Sequence, residues 1–112
     1  MNDIKLMNKA ADNIRILAAS MVEKAKSGHP GGAMGGADFV NVLFSEFLVY
    51  DPKNPAWEGR DRYFQDPGHM SPMLYSVLAL AGKFTIDELK EFRQWGSVTP
   101  GHPEVNVMRG IE

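Results

Sequence analysis

Apolar residues between Ile4 and about Lys26 recur at spacings of three and four (Met7, Ala11, Ile14, Leu17, Ala18, Met21, Val22, Ala25), while most charged residues fall between them. That period predicts an amphipathic helix, stopped by Ser27-Gly28. The next stretch, Pro30 to Gly36, holds five glycines or prolines in seven residues and reads as a loop whose small side chains would let backbone approach a ligand. A second helix is predicted from near Ala37 to Val49, with Val40, Leu43, Phe44, Phe47 and Leu48 as its apolar face. The short aromatic run Arg60 to Gln65 predicts a brief strand ending at Asp66-Pro67-Gly68. From Met70 to Ala81, Met73, Leu74, Val77, Leu78 and Ala81 share a helical face, with Ser71 a candidate cap and Pro72 acceptable in a first turn. Thr85 and Glu88 match a capping box, in which each side chain satisfies a free backbone donor, and Arg93 suits the end of the short helix that follows. Beyond Trp95 the glycines and prolines predict an extended loop.

Four helices and one strand describe a predominantly helical fragment of an α/β fold, because a single strand leaves its backbone groups without a partner. The expectation is therefore that residues 1–112 form an incomplete domain, with further elements to follow. Apolar helix faces left uncovered would then favour a homo-oligomer or another bound chain. Composition adds limits. Hydrophobic content of 44% and charged content of 23% suit a globular domain, and a net charge of -2 with scattered Lys and Arg gives no footprint for nucleic acid or an anionic membrane surface. The chain has no cysteine, signal-like segment or membrane-length apolar run, so a cytoplasmic location is the default.

All three histidines directly follow a glycine: Gly28-His29-Pro30-Gly31, Gly68-His69 and Gly101-His102-Pro103-Glu104. Glycine and proline punctuate turns, so each imidazole is presented at a chain reversal rather than inside an element. His69 would also lie just past the carboxyl end of the predicted strand, the edge at which open α/β sheets bind ligands. A bland role is available to each alone, since a histidine can cap a helix or satisfy a nearby carbonyl. Their wide separation and the lack of cysteine argue against a metal site built from these histidines.

Several segments, in order from about residue 14 onward, resemble the amino-terminal, diphosphate-binding region of transketolases. They are Lys24-Ala25-Lys26-Ser27-Gly28-His29-Pro30-Gly31 with Met34-Gly35 and Ala37-Asp38, Asp51-Pro52-Lys53-Asn54-Pro55 with Trp57, and Arg60-Asp61-Arg62. The series continues with Gly68-His69, Leu74-Tyr75-Ser76, Glu88-Leu89-Lys90, Phe92-Arg93-Gln94 and Thr99-Pro100-Gly101-His102-Pro103-Glu104. The resemblance implies the parallel-sheet thiamine diphosphate-binding fold and two-carbon ketol transfer between sugar phosphates. It places His69 beside the cofactor and makes His29 and His102 catalytic and substrate-binding residues that would meet sugar hydroxyls and relay protons. It also implies that the diphosphate loop, the acidic Mg2+ motif and the pyrimidine domain with its glutamate lie outside these residues, so the chain alone should be inactive. Gly32-Ala33 and Asp66-Pro67 depart from the commoner family pattern, which bears on substrate preference more than on reaction type. Two alternatives stay open: a noncatalytic domain that binds another protein, and a fragment of a related enzyme such as dihydroxyacetone synthase.

Overall fold

The computed structural model describes residues 2–112. Helix α1 spans Ile4–Ala25, opened by Asp3, whose carboxylate accepts the Leu6 amide at 2.9 Å, and closed by Lys26 in the left-handed region at φ 53°. The apolar spacing read from the sequence turns Ala11, Ile14, Ala18 and Met21 to the interior. Two alanines on that face let neighbours come close, and α1 packs on each of the helices that follow in the core.

Pro30–Gly35 is a helix, α2, where the sequence predicts a loop. Proline at its first position is pre-set for helical φ and has no amide to leave unpaired. Packing then overrides the poor helix propensity of glycine: a Cβ on Gly32 would sit 2.9 Å from the Met70 sulfur, and one on Gly36 would sit 2.6 Å from the Met73 sulfur. Helix α3, Ala37–Val42, runs into a wider π-helical turn over Leu43–Phe47, so the predicted Ala37–Val49 helix ends earlier and in a different winding. The Leu48 amide reaches back to the Leu43 carbonyl at 2.9 Å.

Residues 48–67 carry no strand, which corrects the expectation for Arg60 to Gln65. With no partner strand, this segment satisfies its backbone by other means: the Asp61 amide donates to the Val49 carbonyl at 2.7 Å, and the Asp61 carboxylate accepts the Val49 amide at 2.8 Å. Tyr63 stands edge-on to Phe44, 5.4 Å between ring centres, and Arg60 pairs with Glu112 at 2.7 Å. His69 therefore follows an irregular segment, on the 3-10 turn Gly68–Met70 that leads into α4.

Helix α4, Ser71–Leu80, is the centre of the molecule, with every residue from Ser71 to Leu78 buried. Burial of this kind contributes roughly 1.5–3 kcal/mol for each large apolar side chain. Ser71 is not the cap; Met70 occupies that position and the Ser71 hydroxyl bonds elsewhere. Helix α5, Ile86–Lys90, starts with the predicted capping box, Thr85 accepting the Glu88 amide while the Glu88 carboxylate accepts the Thr85 amide. A 3-10 turn over Val107–Arg109 and an antiparallel bridge between Asn106 and Ile111 fold the last residues back onto the core. The helical character expected of the chain is present, and that bridge is the sole β pairing among the described residues.

Candidate functional site

Each glycine-histidine step occupies a turn, and the three turns meet. Gly28, at φ 127°, reverses the chain after α1 in a conformation that glycine alone adopts easily, and delivers His29 to the position before α2. His69 follows on its 3-10 turn, and the two imidazoles lie 4.7 Å apart between ring centres, tilted by 59°. His102 closes the group from the other side. Its Nδ1 would be 2.9 Å from a Cβ on Gly68, so the imidazole rests where any other residue would intrude. His29 and His102 are exposed and His69 is half-buried.

The loop that carries His102 is tied to α4 by hydroxyl groups. Tyr75 donates to the Pro100 carbonyl at 2.6 Å, Ser71 donates to the Gly101 carbonyl at 2.6 Å, and the buried Thr99 hydroxyl donates to the Glu88 carbonyl at 3.2 Å. Burial, with a smaller push from Glu104, raises the Tyr75 pKa well above its ordinary value, so the phenol stays protonated and remains a donor. Phe92 lies beneath both loops, its ring 3.2 Å from where a Gly28 Cβ would be and against Tyr75 at 6.3 Å. Beside His102 a cavity of about 210 Å³ is lined by Gln65, Gly68, Leu74, Pro103 and Glu112. The side-chain amide nitrogen of Gln65 is buried there without a hydrogen-bond partner.

The structure brings His29, His69 and His102 to one patch. Among the described residues no imidazole is hydrogen-bonded to another protein group, so their ring nitrogens are available to a bound molecule. Imidazole can donate at one nitrogen and accept at the other, which suits hydroxyl groups and a polar heterocycle. That chemistry fits one flank of thiamine diphosphate. No group of three or more His, Cys, Asp or Glu side chains able to hold a metal occurs among the described residues. The imidazole donors present fit the organic part of that cofactor.

Ser71, Tyr75 and Thr99 hold the His102 loop without having been singled out for it in the sequence. A signal did exist for two of them: Ser71 and Tyr75 are four apart and put hydroxyls on one face of a helix whose remaining residues, Ser76 apart, are apolar. Thr99 gave no such signal.

Comparison with known proteins identifies the family to which these residues belong. The family described as transketolase, thiamine diphosphate binding domain, matches residues 6–112. Transketolase of Buchnera aphidicola is 52% identical over 108 residues, covering 96% of this chain and 16% of the relative. Transketolase-1 of Arabidopsis thaliana, a chloroplastic protein, is 50% identical over 112 residues, 98% of this chain and 15% of its own length. Among solved structures, transketolase from Campylobacter jejuni superposes with a TM-score of 0.91 at 46% identity, covering 98% of this chain and 17% of that one. Transketolase from Leishmania mexicana gives 0.88 at 46% identity, with 94% and 16% covered. The chain thus spans about 16% of the length of its curated relatives. From its matched residues, its fold and its sequence identity, this chain belongs to the transketolase family, within the amino-terminal thiamine diphosphate binding domain.

Proposed function

We propose that the chain forms one wall of a site for two-carbon ketol transfer between sugar phosphates, with His69 beside thiamine diphosphate and His29 and His102 facing substrate. The observation that carries this reading is the meeting of the three glycine-borne imidazoles on one patch, with His29 and His69 4.7 Å apart. When bound, the cofactor supplies a carbon nucleophile and an electron sink. His29 and His102, exposed at the rim, would hydrogen-bond sugar hydroxyls and hold or pass the protons that those oxygens exchange. His69, half-buried between them, would fix the cofactor's flank and exclude water from it.

The diphosphate and Mg2+ ligands, and the acid that activates the aminopyrimidine, would come from other transketolase segments or a complementary chain. The complete assembly is read as a cytoplasmic homo-oligomer, and residues 1–112 as an incomplete, inactive part of its domain. Calorimetric titration with thiamine diphosphate and Mg2+, together with an assay of ketol transfer, tests this reading in the chain alone and with a chain supplying the rest of a transketolase. Expected are no ketol transfer alone, transfer on complementation, and a loss of about 10²–10⁴-fold for His29→Ala or His102→Ala in the complemented enzyme. Complementation that restores neither binding nor turnover would overturn it.

One observation favours a second reading, a noncatalytic protein-binding domain. Phe39, Val42 and Phe47 are exposed around an apolar depression on α3 and the π-helical turn. Binding of a complementary chain without turnover would support that alternative.

A further inference from the structure

The geometry points to Arg93 as a positioning residue that sets His29 against His102 by clamping the two loops that carry them. This rests on reading the imidazole patch as a site. Two local costs meet at this one residue. Its backbone lies in the left-handed region at φ 62°, which non-glycine residues seldom occupy, and its Nε is buried with no hydrogen-bond partner. Such outliers persist when the surroundings over-determine them.

The surroundings are the two histidine loops. On one side the Arg93 Nη1 donates to the Ser27 hydroxyl at 3.0 Å, and Nε passes 3.6 Å from where a Gly28 Cβ would stand, immediately before His29. On the other, a Cβ on Gly101 would meet Nε at 3.0 Å and Cζ at 3.1 Å, immediately before His102, while the Arg93 amide donates to the Thr99 carbonyl at 3.1 Å through a main-chain bond that any residue at this position keeps. The guanidinium also lies over the Phe92 ring, 5.6 Å from its centre. No ion pair to a carboxylate is found for Arg93 among the described residues, so its charge does not anchor it to a third element. A short apolar residue would lose the Ser27 bond and the packing on Gly101 together, whereas a lysine could keep a donor to Ser27 without the guanidinium plane that lies against Gly101.

Nuclear Overhauser contacts within the chain test this without any cofactor, so their outcome is separate from that of the ligand titration. The wild type should show His29 to His69 ring contacts and His102 ring to Gly68 Hα contacts. In Arg93→Met both should weaken at least threefold while amide dispersion is kept, and Arg93→Lys should recover part of the first. Equal spectra for the Met and Lys variants, or unchanged contacts in a folded Arg93→Met, would overturn the assignment. If Arg93→Met does not fold, Ser27→Ala decides: weakening of the His29–His69 contact with the His102–Gly68 contact intact supports the clamp, and no change overturns it.

Discussion

The segment Thr99–His102 hangs from hydrogen bonds, whereas the segment Pro30–Gly36 is held by shape. Ahead of His102, Tyr75 and Ser71 each donate to a backbone carbonyl at 2.6 Å, and a single missing atom would leave that carbonyl unpaired. Behind His29 there is no side-chain cap on α2, and Gly32 and Gly36 instead admit the sulfurs of Met70 and Met73. Both devices bring a histidine to the same patch. The first is sensitive to chemistry and the second to volume, so mutations can separate them.

The largest effect is expected where the two arms share a support. Phe92→Ala should cost about 4 kcal/mol in urea unfolding and speed amide exchange in both arms together. Gly36→Val should act on the packed arm alone, costing about 3 kcal/mol because Met73 is buried and cannot withdraw freely. Exchange should then quicken at residues 34–36 and stay unchanged at Arg93, whose amide donates to the Thr99 carbonyl. Tyr75→Phe is the opposite probe: loss of one donor to a part-buried carbonyl should cost about 2 kcal/mol and speed exchange at Arg93 while residues 34–36 keep their protection. A protection change in the same arm for both variants would show that the two devices are not independent.

The smallest effect lies outside the imidazole patch and serves as a reference. Hydrogen bonds from Arg109, and next from the Thr85 amide, hold the Glu88 carboxyl below its ordinary value of 4.5. Because the folded pKa is depressed, this stabilisation is full above about pH 4.5 and is lost as pH falls through the lower folded value. With the side chain 29% exposed, it should amount to about 1 kcal/mol or less. Glu88→Gln should flatten that acid limb of the stability profile and leave the His29–His69 contact unaltered.

Much of this was readable beforehand. The three-four spacing of α1 and the capping box at Thr85 and Glu88 are local signals, and the structure keeps both. From spacing alone the patch was legible only as three turns, and it was the resemblance to transketolases that put His29, His69 and His102 at one site. Failures came where tertiary contact decides. Pro30–Gly36 has the composition of a loop, yet α1 and α4 hold it as a helix through its lack of side chains. Arg60 to Gln65 has strand composition, but no neighbouring strand is there to pair with. Arg93 reads as a basic residue at a helix end, and only the folded chain puts it between two loops 66 residues or fewer away in sequence.

The two carbonyls that receive the Tyr75 and Ser71 hydroxyls belong to the backbone, which every amino acid carries. Instructions for the placement of His102 are therefore written in α4 rather than in the loop itself. Pro100 could be exchanged for any residue that accepts the same backbone path without losing its tether, while the hydroxyls of α4 have few substitutes. A library that randomises the loop to retune recognition should thus retain the attachment, and one that randomises the inner face of α4 should lose it.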